Sequence, residues 1–166
     1  DSRRLRCVIF DMDGTLTQTN QLIFDAFNHI AERYAGRRYA ESEITAMFGP
    51  PEEGALEHIV GKERVDAAMR EYLGFFRANH ARLARLYPGI SEILQSLKER
   101  GCFLGLFTGK GIHTTSVTLQ EFGLTQFFDF VVTGNDVVLH KPSGEGIRKI
   151  LDAAGVTPAE ALMVGD

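Results

Sequence analysis

The chain has 166 residues, 44% of them apolar and 24% charged, enough to enclose the core of one domain or of a domain with one sizeable insertion. Its net charge of −4 gives nucleic acid no basic footprint and a membrane no polybasic anchor. The apolar runs, such as residues 102–107, fall far short of the roughly 18–20 residues that cross a bilayer, and two cysteines are too few for a disulfide framework.

In chain order, Leu5–Phe10 is short, apolar and β-branched and runs into Asp-x-Asp-Gly, the pattern of a buried parallel strand entering a turn. That run ends too soon after Arg3 and Arg4 for a secretory leader, so a cytoplasmic location is expected; an opening on Asp1 rather than Met suits a trimmed chain. From about Thr19 to Tyr87 no strand pattern occurs. Ile23, Phe27, Ile30 and Tyr34 make one helical face; Val65, Met69, Tyr72, Phe76, Leu83 and Tyr87 make a longer one, with a turn signal at residues 48–53 between them. Tyr87-Pro88-Gly89 marks the return, followed by a helix with Ile90, Ile93, Leu94 and Leu97 on one side and Gly101 as its stop.

Cys102–Phe107 is a second strand, ending in Thr108-Gly109-Lys110-Gly111. Cys7 and Cys102 each open or adjoin an apolar run and read as reduced core thiols. A Thr-rich helix over 112–122 stops at Gly123, a third strand covers 128–134, and Ile147, Ile150, Leu151 and Ala154 stripe another helix that ends at Gly155. Thr157-Pro158-Ala159-Glu160 carries an N-cap Thr, Pro at the first helical position and Glu at the third, predicting a helical turn before a fourth strand over 161–166. Alternating strands and helices predict a doubly wound, Rossmann-like α/β core with a parallel sheet, built from residues 1–18 and 88–166. Residues 19–87 form an inserted helical cap between the first and second strands.

Asp11 and Asp13 stand two apart at a strand end, a spacing that turns both carboxylates to one side. Like charges held that close favour a divalent cation or a raised pKa on one of them. Alone, Asp-x-Asp-Gly is equally the composition of a surface turn. The other strand ends add Thr108 with a hydroxyl, Gly109 with a backbone N–H, Lys141-Pro142 with a cation ahead of a helix, and Asp166 with a further carboxylate. All of them fall at one edge of the expected sheet.

In this order, Asp11-Met12-Asp13-Gly14-Thr15, Thr108, Lys141-Pro142 and Gly165-Asp166 resemble the four motifs of the haloacid dehalogenase-like (HAD) phosphohydrolases. The helical insertion is similar to the mobile cap of the subgroup that includes phosphoglycolate phosphatase and β-phosphoglucomutase. The resemblance implies Asp11 as nucleophile, Asp13 as general acid and base, and Lys141 and Thr108 as phosphoryl-stabilising groups. It also implies Mg²⁺, held by the side chains of Asp11 and Asp166 and the backbone carbonyl of Asp13. Gly14, Thr15, Gly109 and Lys110 would face the substrate from the core, and Gly49 and Pro50, in the run Gly49-Pro50-Pro51-Glu52, from the cap. The presence of Asp13 favours phosphoryl over halide chemistry, since a departing halide needs no acid.

Two departures stand out. Gly109 takes the place of an Asn common among relatives, and the chain ends at Asp166 where relatives continue through a second acidic residue, a helix and another strand. A missing C-terminal strand would leave the fourth strand as an open edge, with weaker metal binding and lower stability. The expected function is a Mg²⁺-dependent phosphatase acting on a small phosphorylated metabolite, a phosphoglycolate-like monoester, through an aspartyl-phosphate on Asp11. The alternatives are a sugar phosphomutase, which the acidic Glu52 disfavours by repelling a second phosphate, and a non-catalytic module that binds phosphorylated metabolites. The five histidines lack zinc-ligand spacing, with His140 at most at the rim of the site, and Arg37-Arg38 reads as solvated surface. No feature signals an oligomeric state.

Overall fold

In the computed structural model, residues 4–47 and 51–165 are described; Gly49, Pro50 and Asp166 lie outside them. The elements run β1 (Cys7–Phe10), β2 (Thr17–Gln18), α1 (Asn20–Ala35), α2 (Glu41–Ala46), α3 (Glu52–Val60), α4 (Val65–Leu83), β3 (Arg85–Leu86) and α5 (Ile90–Glu99). They continue through β4 (Phe103–Phe107), α6 (Ile112–Glu121), β5 (Phe130–Val132), α7 (Glu145–Ala154) and β6 (Ala161–Val164).

The main sheet has the order β5-β4-β1-β6 and all its pairings are parallel, the α/β architecture expected from the alternation of elements. Both faces of the sheet are covered, so the central strands bury every residue of β1. Their side chains divide by the strand's period of two. Val8, Phe10, Leu104 and Leu106 join Ile90 and Leu94 of α5 and Leu119 of α6. Cys7, Ile9 and Phe107 join Ile150 and Leu151 of α7 on the opposite face. Cys7 and Cys102 are buried free thiols. β6 forms one edge of the sheet, with Leu162 and Met163 exposed.

Two strand boundaries differ from the sequence pattern. β5 covers only Phe130–Val132, because Asp129 turns its carboxylate to accept the Leu104 N–H (2.8 Å) and to pair with Lys98 (2.7 Å). A small antiparallel pair, β2 with β3, matches Thr17 with Leu86 and Gln18 with Arg85; β2 lies just before, and β3 inside, the stretch from about Thr19 to Tyr87 read as free of strands. Two residues per strand are too few to show an alternation. This pair ties the point where the chain leaves the sheet to the point where it returns.

Helices α1 to α4 gather around their own core, in which Phe27, Ile30, Ile44, Leu56, Tyr72 and Phe76 are buried. The helical faces read from the sequence supply Ile23, Phe27, Ile30, Met69, Tyr72 and Phe76 to it, whereas Tyr87 lies beyond α4 and joins the sheet's cluster instead. The layer rests on the sheet domain through α4 and α6. There the ring of His80, between Phe76 and Phe122, meets the Thr118 hydroxyl at 3.0 Å.

Candidate active site

The C-terminal ends of β1 and β4 open beneath the helical layer into a cavity of about 280 Å³. Its sheet side is lined by Asp11, Asp13, Thr108, Gly109, Lys110 and Lys141; its helical side by Ile23, Phe27, Met47, Glu52, Ala55 and Tyr72.

Asp11 follows β1 directly, its N–H still bonded to the carbonyl of Val164 (2.9 Å). One carboxylate oxygen, Oδ1, accepts the Met12 N–H (2.8 Å) and faces Lys141 Nζ at 3.2 Å. That ammonium also donates to the Phe107 carbonyl (3.0 Å) and lies over the Phe107 ring. Lys141 arrives on the loop before α7, which folds back because the Glu145 carboxylate accepts the N–H groups of Leu139 (2.7 Å) and Val138 (3.2 Å). Those two bonds hold the Glu145 carboxyl below its usual pKa. The Lys141–Pro142 peptide is cis.

Asp13 sits two residues further on and has its own set of partners. Its Oδ1 accepts from the hydroxyls of Thr19 and, at 3.5 Å, Thr17, and Lys110 Nζ approaches at 3.3 Å. The Lys110 side chain is only 5% exposed, and its ammonium also faces the ring of Phe76 in α4 at 4.8 Å. Lys110 is therefore a buried cation shared between a site carboxylate and the helical layer, not a solvated lysine. Thr108 is buried, its N–H on the Val132 carbonyl (3.0 Å) and its Oγ1 accepting the Lys110 N–H (3.2 Å).

Other residues singled out in the sequence lie elsewhere. Gly14 makes the turn after Asp13 with φ +82°, its N–H on the Thr17 carbonyl, and borders a second depression with Thr17, Thr19 and Arg85 rather than the cavity. Thr15 does not line the cavity either; its hydroxyl is buried without a partner. Glu52 is not an open acid facing the substrate. It is buried, and its carboxylate accepts the Gly111 N–H (2.9 Å) and the Thr114 hydroxyl at the start of α6. His140 is half-buried and is not among the residues lining the cavity. Arg37 and Arg38 make surface ion pairs with Glu43 and Glu32.

Tyr72 was legible only as part of a helical face. It lines the cavity, is fully buried, and its hydroxyl has no hydrogen-bond partner. Burial, with Glu52 and Asp13 nearby, pushes the phenol well above its usual pKa, so it stays protonated. Thr17 and Thr19 were equally hidden as partners of Asp13, although Thr-x-Thr directly after the acidic turn is where such hydroxyls would be sought.

Asp11 and Asp13 offer the hard oxygen donors that suit a divalent cation. Asp11 Oδ1 is engaged by Met12 and Lys141, while Oδ2 lies 3.8 Å from where a Cβ on Gly165 would stand. Among the described residues no cluster of three or more His, Cys, Asp and Glu forms, and none of the helices is long and apolar enough to cross a membrane.

The sequence pattern of the haloacid dehalogenase-like hydrolases matches residues 8–166, and the chain belongs to that family. Within it the chain is an enzyme of the phosphatase kind. It is 38% identical over 162 residues to the pyrophosphatase PpaX of Anoxybacillus flavithermus, a match covering 98% of this chain and 75% of that protein. A HAD-superfamily hydrolase of subfamily IA from Geobacter sulfurreducens superposes with a TM-score of 0.73 at 27% identity, over 98% of this chain and 80% of the other. A predicted phosphoglycolate phosphatase from Haemophilus somnus shares the fold with a TM-score of 0.82 at 19% identity, over 98% and 77% of the two chains.

Proposed function

We propose that the protein is a Mg²⁺-dependent phosphatase that cleaves a small phosphorylated metabolite through an aspartyl-phosphate on Asp11. The observation that carries this reading is the pair of carboxylates in one cavity, each opposed by its own lysine: Asp11 by Lys141 and Asp13 by Lys110. Asp11 attacks phosphorus, forming an O–P bond as the bond to the leaving oxygen breaks. Asp13 gives that oxygen its proton. In the second step Asp13 takes a proton from water as the water attacks the aspartyl-phosphate, which frees phosphate and restores Asp11. Lys141 and the Thr108 hydroxyl hold the phosphoryl oxygens and offset the charge that gathers on them. Asp11, the carbonyl of Asp13 and Asp166 are the residues that would hold Mg²⁺, which would offset the repulsion between the Asp11 carboxylate and the dianionic phosphate.

Residues 19–87 act as a cap that excludes water and places the leaving group against Ile23, Phe27, Met47 and Ala55. A phosphoglycolate-like monoester is the expected substrate. Pyrophosphate is the second candidate, supported by the 38% identity to a protein bearing that activity in its name. The test is phosphate release from 2-phosphoglycolate, pyrophosphate and p-nitrophenyl phosphate, with Mg²⁺ or EDTA, for the wild type and Asp11→Asn. Metal-dependent release that disappears in Asp11→Asn supports the reading. Isomerisation of a hexose phosphate without release of phosphate would assign a mutase instead.

A further inference from the structure

Among the described residues Glu52 is the one carboxylate of the helical layer that lines the cavity, and it is bound across the seam to the start of α6. It stands in the first turn of α3, is buried, and accepts both the Gly111 N–H and the Thr114 hydroxyl at the N-terminus of the ten-residue helix α6. Those groups, together with the positive end of the helix dipole, suit an anion. Gly111 has an ordinary φ of −70°, so backbone conformation does not call for glycine there. Close approach does: a Cβ on Gly111 would collide with the Glu52 carboxylate. Beside this contact, Pro51 lies against Gly134, and Lys110 of the same β4–α6 turn faces Phe76 of α4. The turn that carries Thr108 and Lys110 is thus fastened to the helical layer at its far end. No cation on the helical side lines the cavity among the described residues, and Lys110 and Lys141 are both set against aspartates.

We propose that Glu52 is a positioning residue that supplies, from within the protein, the anion that closes the helical layer over the catalytic turn, so that closure does not depend on a second anionic group of the substrate. The proposal rests on the phosphatase reading only for its kinetic arm. If closure is built in, the free enzyme is already in the competent state and the substrate does not have to drive it there. Removing the carboxylate makes the substrate supply closure, which weakens apparent binding while leaving the chemistry of the closed complex alone.

The experiment compares wild type, Glu52→Ala, Glu52→Gln and Thr114→Val with two substrates of similar size, ethyl phosphate and 2-phosphoglycolate, with and without sodium formate. Glu52→Ala is expected to raise KM for ethyl phosphate about tenfold, the scale of one lost charge-assisted hydrogen bond, with kcat within about twofold. KM for 2-phosphoglycolate should rise less, because its carboxylate can occupy the vacated position, and formate should return the ethyl phosphate KM towards the wild-type value. Glu52→Gln, which keeps an acceptor but not the charge, should fall between. Thr114→Val, which removes one donor without touching Glu52, should raise KM by about threefold and keeps the test open if Glu52→Ala fails to fold.

X-ray scattering of the ligand-free proteins gives a readout independent of turnover: Glu52→Ala should be more extended than wild type and contract on addition of formate. Equal losses for both substrates, confined to kcat and untouched by formate, would overturn the proposal, as would unchanged scattering in a folded Glu52→Ala. Failure of the phosphatase reading would look different, with no phosphate released by the wild type while the scattering arm still reports on the latch.

Discussion

The sheet edge and the helical layer meet at one cavity but hold their polar groups in different ways. On the sheet side the carboxylates are matched one to one with cations, Asp11 with Lys141 and Asp13 with Lys110, and further fixed by Met12, Thr17 and Thr19. On the helical side the wall is mostly apolar, and its two polar groups have opposite fates: Glu52 is spent on the seam, whereas the Tyr72 hydroxyl is left without a partner. Strand ends are rigid and place charges accurately, which suits bond-making. A layer joined to the sheet by the short β2–β3 pair, the α4–α6 seam and the Glu52 contact can shift as a body once that contact opens, which suits admission of the substrate. The difference implies that changes on the sheet side cost turnover and changes on the helical side cost apparent affinity or stability.

The strongest way to break that division is at Asp11, the proposed nucleophile. Asp11→Asn should lower metal-dependent phosphate release by at least about 10³-fold while unfolding at a similar denaturant concentration, checked by a phosphate-release assay alongside urea unfolding. Retained turnover would move the chemistry off Asp11. The two lysines sharpen the comparison one step further. Lys141→Met removes the cation beside Asp11 and should lower kcat by roughly 10²-fold, the scale of losing a preorganised charge-stabilising donor. Lys110→Met touches Asp13 and the cap at once, so KM as well as kcat should change; an effect on kcat alone would place Lys110 wholly on the sheet side.

A smaller effect is expected at Tyr72. A buried hydroxyl with no partner is a standing cost to the folded protein, so Tyr72→Phe should leave stability unchanged or raise it by up to about 1 kcal/mol in urea unfolding. The ring, which packs against Phe27 with centroids 5.0 Å apart, is retained in that variant. A loss of stability would mean that the hydroxyl is satisfied in solution and would weaken the contrast with Glu52.

What the sequence made legible follows the same division. The strands, the parallel order and the gathering of Asp11, Asp13, Thr108 and Lys141 could be read because period-two burial and polar strand ends are local patterns. The Thr157 capping box was legible for the same reason, and it forms as read, with Glu160 accepting the Thr157 N–H (3.0 Å). Glu52 bonding residues 59 and 62 positions away could not be read, because an acidic residue after Pro-Pro looks alike whether it faces solvent, substrate or a distant helix. The same holds for the hidden partner of Lys110: the sequence shows a lysine in a turn, and only the packing of α4 brings Phe76 over it. Gly14 and Thr15 show the converse, since their motif marks the turn while the chain's path carries them past the cavity.

The smallest expected effect lies at the seam itself, where pH can probe the packing of the helical layer on the sheet domain. His80 is buried between Phe76 and Phe122, with one ring nitrogen on Thr118 and the other unpartnered. Burial holds its pKa below the ordinary histidine value, helped by Lys110 and opposed by Glu121 and Asp13. The unfolded chain, whose histidine titrates near about 6.5, therefore takes up a proton as pH falls through that value while the folded chain does not. Protons bound preferentially by the unfolded state make stability fall with pH, and the decline continues until pH reaches the lowered folded-state pKa. In His80→Gln this contribution is absent. The stability difference between wild type and His80→Gln should thus shrink from pH 7.5 to pH 5.5 in urea unfolding, and two curves that stay parallel would show that His80 accepts its proton inside the seam.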